Sequence, residues 1–322
     1  MKINFASIYY PFLGKLLDGK YTSEGITYFW HYVFPPFKLF RQIIESKSYD
    51  LSEMSLSTYT MLRQQGWDNY IALPIFTSRC FRHSSLFVRS KSRITDGAGL
   101  KGKRVGVPEY HMTAAVWVRG FLWEDFGVDP GEVTWFTGGL ERPGRRERVK
   151  LPDRISAKII PIKSDETLFG MLLQGRLDAV LSPYIPAPLR KNQWPVRRLF
   201  INSAEVEKEY YRVHKVFPIM HTVVLRHDLY KKNPVVASKV YRALKKLKED
   251  FYSKVKLLDS TFSLPWFYKY LGEVMEVLGD DPWSYGLSRN RQTLNKYFGY
   301  AFQQGLIDKK PEMKHLFVDL NG

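Results

Sequence analysis

Strand-like and helical patterns alternate through most of this 322-residue chain, which restricts it to layered α/β architectures with largely parallel sheet. Ile3–Ser7 reads as a first strand. Residues 36–46 read as a helix with Phe37, Phe40, Ile43 and Ile44 on one face. Residues 49–54 read as a short strand and turn, and 56–65 as a helix. Strands follow at 70–76, 85–89 and 104–107, then a helix at 113–126 and a strand at 133–136. Residues 165–174 read as a helix, 175–181 as a turn and strand, and 217–225 as a second such return. From Pro234 to Tyr252 the pattern is strongly helical, and the remainder reads as helices with loops. The stretch from Arg104 to Leu181 looks inserted into another lobe, with 70–89 and 220–225 as the crossovers. The expected division is 1–98 plus 222–322 for one lobe and 99–221 for the other. A ligand is expected in a cleft between lobes, at carboxyl ends of strands.

Hydrophobic residues are 44% of the chain and aromatics 15%, which supports a folded core. No apolar run approaches the roughly 18 residues that span a bilayer, so no membrane partner is expected. The first residues enter a strand pattern without a leader, which predicts a cytoplasmic protein. Cys80 is the sole cysteine, excluding an intrachain disulfide and a cysteine-based zinc site. The formal charge is +17, from 49 basic and 32 acidic residues. The basic residues are scattered, and no helix-turn-helix, RNA-recognition or zinc-finger pattern is present. The charge therefore reads as anion steering, with no nucleic-acid partner. The densest cluster, Arg142-Pro143-Gly144-Arg145-Arg146-Glu147-Arg148, reads as an exposed loop.

Two neighbouring segments concentrate the chemistry. Ser78-Arg79-Cys80-Phe81-Arg82-His83-Ser84-Ser85 puts two guanidiniums, an imidazole and three hydroxyls within eight residues. Gly102 to Ala115 reads as a basic turn, a short buried strand, and a Pro-containing loop entering a helix. Free N–H groups at such a helix start point at an anion. Together they predict a pocket for a small carboxylated molecule.

Longer motifs carry a resemblance. Asp50-Leu-Ser-Glu-Met-Ser-Leu-Ser, Phe81-Arg-His-Ser-Ser, Gly102-Lys-Arg-Val-Gly-Val-Pro-Glu-Tyr-His-Met-Thr-Ala-Ala-Val-Trp and Phe217-Pro-Ile-Met-His-Thr-Val-Val resemble the 4,5-dihydroxyphthalate decarboxylase family. The likeness runs on through Trp283-Ser-Tyr-Gly and Asn290-Arg. It implies a two-lobed type II periplasmic-binding-protein-like fold, with mixed sheets flanked by helices. It also implies loss of one carboxylate from 4,5-dihydroxyphthalate to leave protocatechuate. Each ring hydroxyl is para to one carboxylate, so electrons pushed from that oxygen let the carboxylated carbon accept a proton before carbon dioxide departs. Such a site needs cations for the carboxylates, an acid for the carbon, and a base or cation favouring the phenolate. The substrate supplies its own electron source, so no cofactor is expected.

Arg79 and Arg82 are the candidates for carboxylate binding, because a guanidinium fork matches a carboxylate in two bonds. On an extended strand they face opposite ways, so a turn is required for both to contact ligand. His83 is the preferred proton donor and His221 the second, since imidazole titrates near working pH. Glu53 and Glu109 are candidates for a base or a partner that orients histidine, against the plainer roles of helix cap or acid neutralising an arginine. Ser84, Met112 and Thr113 are expected anion contacts, and Ser7, Tyr9 and Tyr10 ring contacts. Trp117 reads as core and Asp178 as a structural turn. His83, His221, Glu53 and Glu109 together form the alternative of a divalent metal site, although none has the spacing of a known metal motif. The competing functions are a solute-binding protein for an aromatic or amino-acid-like anion, and a cofactor-precursor biosynthesis protein on the same scaffold. A homo-oligomer is the expected assembly.

Overall fold

A computed structural model describes residues 1–191, 193, 195–257 and 264–320. In chain order the strands are β1 (Lys2–Ser7), β2 (Lys20–Ser23), β3 (Ile26–Tyr32), β4 (Leu51–Ser55), β5 (Tyr70–Arg79) and β6 (Leu86–Arg89). They continue with β7 (Arg104–Val107), β8 (Thr134–Thr137), β9 (Ile159–Pro161), β10 (Ala179–Leu181), β11 (Val196–Arg198) and β12 (Ile219–Arg226). They form two mixed sheets, each within its own compact unit.

The first unit comprises Met1–Arg79, Ile219–Gln292 and Pro311–Gly322. Its sheet runs β2-β3-β1-β4-β12-β5. Strands β3, β1 and β4 are parallel, and β12 is antiparallel to β4 and β5. The carboxyl ends of β3, β1, β4 and β5 and the start of β12 therefore share one edge of the sheet. Alternation within β1 buries Ile3 and Phe5, which pack with Leu51, Leu73, Val223 and Leu225. The helix Val235–Lys256 closes this core with Val240, Leu244 and Leu247, the apolar stripe read from its sequence.

The second unit comprises Cys80–Pro218 and Thr293–Lys310, with sheet order β11-β6-β10-β7-β8-β9. The helix Thr113–Phe126 is buried along most of its length. Trp117 is core, as its spacing predicts, and packs against Tyr297 and Tyr300. A Cβ at Gly120 would lie 2.1 Å from the Tyr300 ring, so that close approach requires glycine. Asp178 holds the backbone N–H and guanidinium of Arg104, the structural turn expected of it.

Several boundaries differ from the sequence reading. The chain changes unit at Arg79–Cys80, not at residue 98, because β6 pairs with β10 and β11 in the second sheet. It returns at Pro218–Ile219. Residues 293–310 belong to the second unit, since Tyr297 and Tyr300 pack on Trp117 and Gln304 accepts from Arg119. The hairpin β2–β3 has no counterpart in the sequence reading. In the basic cluster Arg142, Pro143, Gly144 and Arg146 are exposed as expected, whereas the Arg145 and Arg148 side chains are only 18% and 4% exposed. Among the described residues, no helix is long and apolar enough to cross a membrane.

Candidate active site

The chemistry-bearing edge of the first sheet is organised around Glu53 in β4. Its carboxylate is fully buried and accepts from four donors. Oε2 takes the backbone N–H of Ile8 at 3.0 Å. Oε1 takes the Tyr10 hydroxyl, the Thr77 hydroxyl at 3.0 Å, and Nδ1 of His221 at 2.7 Å. Burial alone would push this carboxyl up. The His221 imidazole and the hydrogen bonds from His221, Tyr10 and Ile8 outweigh it and hold Glu53 below the ordinary range. An ionised carboxylate only accepts, so Nδ1 carries the hydrogen of this bond. That fixes the tautomer and leaves Nε2 of the half-buried His221 as the ring nitrogen outside this bond. The Phe40 ring meets the imidazole edge-on, with centroids 5.0 Å apart.

Register explains how these residues meet. His221 lies opposite Ser55 of β4 and Ser78 of β5. Tyr10 enters from the turn after β1. Burial and the Glu53 charge push its hydroxyl well above the usual tyrosine range, so it stays a donor. The end of β5 is fastened from behind. Trp283 donates to the Thr77 carbonyl at 3.1 Å, and Lys248, paired with Asp281, donates to the Trp283 carbonyl at 3.1 Å.

The remaining candidates fall into different environments. Arg79 ends β5 and is buried; its guanidinium donates to the Ser284 carbonyl at 2.9 Å and to the Asn290 side chain. This bond joins two of the motif segments quoted above and ties the arginine into the first unit's framework. Ser7 is buried, donating to the Ile8 carbonyl and accepting from Trp30, and Tyr9 is exposed beside Trp30. In the second unit, Arg82 donates to the Pro183 carbonyl at 3.4 Å, and the Ser84 N–H donates to Glu207. Met112 caps the helix that Thr113 begins, with no side-chain cap bond.

His83, the preferred donor of the sequence reading, is buried among aromatic rings. It is stacked on Phe121 at 3.9 Å and walled by Phe200 and Tyr210. Among the described residues its Nδ1 has no hydrogen-bond partner. Burial, helped by His214, lowers its pKa from 6.5 to about 3, so it is neutral at physiological pH. The unfolded chain takes up this proton below about pH 6.5 and the folded chain only near 3. Stability therefore drops as pH is lowered from about 6.5 toward 3, by about 1.4 kcal/mol per unit. His83→Phe is expected to remove the term, shrinking the difference in denaturation free energy between pH 7.5 and pH 5 by about 2 kcal/mol. An unchanged difference would contradict this environment.

Glu109 is equally committed. Arg145 and Arg148 reach its two oxygens at 2.6 Å each. Burial would raise its pKa, but Arg148, His111 and Arg145 bring it down to about 2. Glu147 accepts from Nδ1 of His111 and the Tyr110 N–H, both at 2.5 Å. Glu109, His111 and Glu147 place ligand-type atoms within 4.8 Å of one another. Arg145 and Arg148 both pair with Glu109, and Glu147 is met by His111 and the Tyr110 N–H, so the positive charge already beside Glu109 opposes adding a cation. Of the metal set read from the sequence, Glu53 pairs with His221 in the first unit; in the second, His83 is boxed by aromatics and Glu109 by arginines. The sequence reading gave Tyr10 only as a ring contact and passed over Thr77. Their signal was position, at the carboxyl ends of β1 and β5.

Two mixed α/β sheets of this topology define the periplasmic-binding-protein fold. The structure is similar to a periplasmic sulfonate-binding protein from Methylobacillus flagellatus, with TM-score 0.56 and 15% identity, covering 98% of this chain and 91% of that one. It is also similar to a Candida albicans protein described as having the generic periplasmic binding protein fold, with TM-score 0.53 and 14% identity, covering 98% and 94%. No protein-family model matches the chain. In sequence it is 32% identical over 320 residues to 4,5-dihydroxyphthalate decarboxylase of Comamonas testosteroni, covering 98% of this chain and 96% of that enzyme. It is 39% identical over 205 residues to the Pseudomonas putida enzyme of the same name, covering 63% and 78%. The chain belongs to the 4,5-dihydroxyphthalate decarboxylase family, and so to the carboxy-lyases.

Proposed function

We propose that this protein decarboxylates 4,5-dihydroxyphthalate without oxidation, with His221 as the acid that protonates the ring carbon. The observation that carries the assignment is the 2.7 Å bond from Nδ1 of His221 to the buried, ionised Glu53. A hydroxyl oxygen pushes electrons into the ring toward the para carbon that bears a carboxylate. That carbon takes the proton from Nε2 of the imidazolium. The bond to the carboxylate then breaks, carbon dioxide leaves, and the ring regains aromaticity as protocatechuate. One proton is consumed per turnover and is returned to His221 from water. Glu53 stabilises the imidazolium and holds its orientation, which favours transfer from Nε2. The hydroxyl para to the reacting carbon is the electron source, so the proposal needs neither an electron-sink cofactor nor a metal. Tyr9 and Ser78 are our candidates for contacts to the ring and its hydroxyls.

Turnover of 4,5-dihydroxyphthalate in heavy water tests the reading. Protocatechuate is expected to carry one deuterium, at the carbon that lost its carboxylate, with carbon dioxide released in equal amount. A chelator is expected to leave the rate unchanged. Tight binding without release of carbon dioxide would instead assign a receptor. We place the reaction in the cytoplasm, consistent with a single cysteine that no intrachain disulfide can use. We infer a homo-oligomer as its working form, and sedimentation tests that assembly.

A further inference from the structure

Three donors converge on a single oxygen of Glu53, and only one of them is the catalytic imidazole. Tyr10, Thr77 and Nδ1 of His221 all address Oε1, while Oε2 has the Ile8 N–H. We infer that Tyr10 is a positioning residue: by donating to Glu53 Oε1 it limits how strongly that carboxylate holds the His221 imidazolium, and so sets the pH at which Nε2 carries its proton. This rests on the reading of His221 as the acid.

The physical argument is competition for one charge. A buried carboxylate with a single cationic partner grips it tightly. Each neutral donor added to the same oxygen stabilises the anion whether or not the imidazole is protonated, and weakens the hold on the proton. A proton donor must lose its proton in each cycle, so a weaker hold is an advantage. Tyr10 suits this role because it stays protonated, pushed well above its usual range by burial and by Glu53. Its ring stacks on Phe12 with centroids 5.2 Å apart, which fixes the hydroxyl without help from substrate. The other elements packed against His221 add little competing charge. Strand β5 offers the neutral Ser78, the helix Pro36–Glu45 offers the apolar Phe40, and the Arg79 guanidinium is turned to Ser284 and Asn290.

The test is Tyr10→Phe, which keeps the ring and removes the donor. The His221 ring is titrated by NMR in wild type and variant, without substrate. The midpoint is expected to rise by roughly half a pH unit in the variant, less than the full value of a direct hydrogen bond to a charge, because the Tyr10 bond is present in both protonation states of His221. The basic limb of the kcat–pH profile is expected to move up in parallel, because the imidazolium persists to higher pH. Thr77→Val removes the second neutral donor and is expected to shift the midpoint in the same direction; it carries the test if Tyr10→Phe does not fold. An unchanged or lowered midpoint in a folded variant overturns the inference, whatever the variant's stability. The titration needs no turnover, so this result is separable from failure of the decarboxylase reading.

Discussion

Replacing His221 with asparagine lowers kcat for 4,5-dihydroxyphthalate by about 10²–10⁴-fold, the range for removal of a general acid. The loss is expected in kcat, with substrate affinity largely kept, because the imidazole works on the carbon only as the proton moves. Circular dichroism should show an intact fold, since the side chain lies at a sheet edge and is partly solvated. His83→Phe provides the contrast. It removes the other histidine of the sequence reading and is expected to retain turnover, because that imidazole is neutral and boxed in aromatics. If His83→Phe abolished turnover and His221→Asn did not, the assignment of the acid would be reversed.

The largest expected effect on stability comes from Glu109. Glu109→Ala leaves the almost fully buried Arg148 without its carboxylate and is expected to cost about 3–5 kcal/mol in urea denaturation. Arg148→Met, which strands Glu109 with one guanidinium fewer, is expected to lose a similar amount. The double variant Glu109→Leu/Arg148→Met should recover much of this, because replacing both members of a buried pair by apolar groups is far milder than removing one. A catalytic Glu109 would give the opposite pattern, with turnover lost, stability kept and no recovery in the double variant. The pair also has an acid signature. Its carboxyl has been brought down from 4.5 to about 2, so its stabilisation is complete above about pH 4.5 and fades as pH falls toward 2.

The alternation of elements was legible because local periodicity encodes it. The helix Val235–Lys256 announced its buried stripe, and β1 its alternation. Glu53 and His221 were legible as candidates, since both lie at strand positions that such sheets use for chemistry. Their pairing was not, because a sequence separation of 168 leaves no trace in any window. The surroundings of His83 were hidden for a related reason. A cluster of polar residues along the chain says nothing of Phe121, Phe200 and Tyr210, which arrive from elsewhere and remove its charge. Arg79 likewise reads as a free guanidinium until Ser284 and Asn290 are seen against it. The basic cluster from Arg142 to Arg148 looks solvated by composition, yet Gly139 lets the backbone come so close that a Cβ there would sit 1.7 Å from the Arg142 carbonyl.

The threading of the first unit from three stretches of chain bears on biosynthesis. A nascent polypeptide that has emerged only as far as Pro218 holds Glu53, Tyr10 and Thr77 but no imidazole to join them. The second unit is continuous apart from residues 293–310, so most of it is available to condense while its neighbour waits for β12. With His221 as the proposed acid, catalytic competence is expected to arrive late in translation, and a fragment ending before His221 is expected to be inert however well it folds.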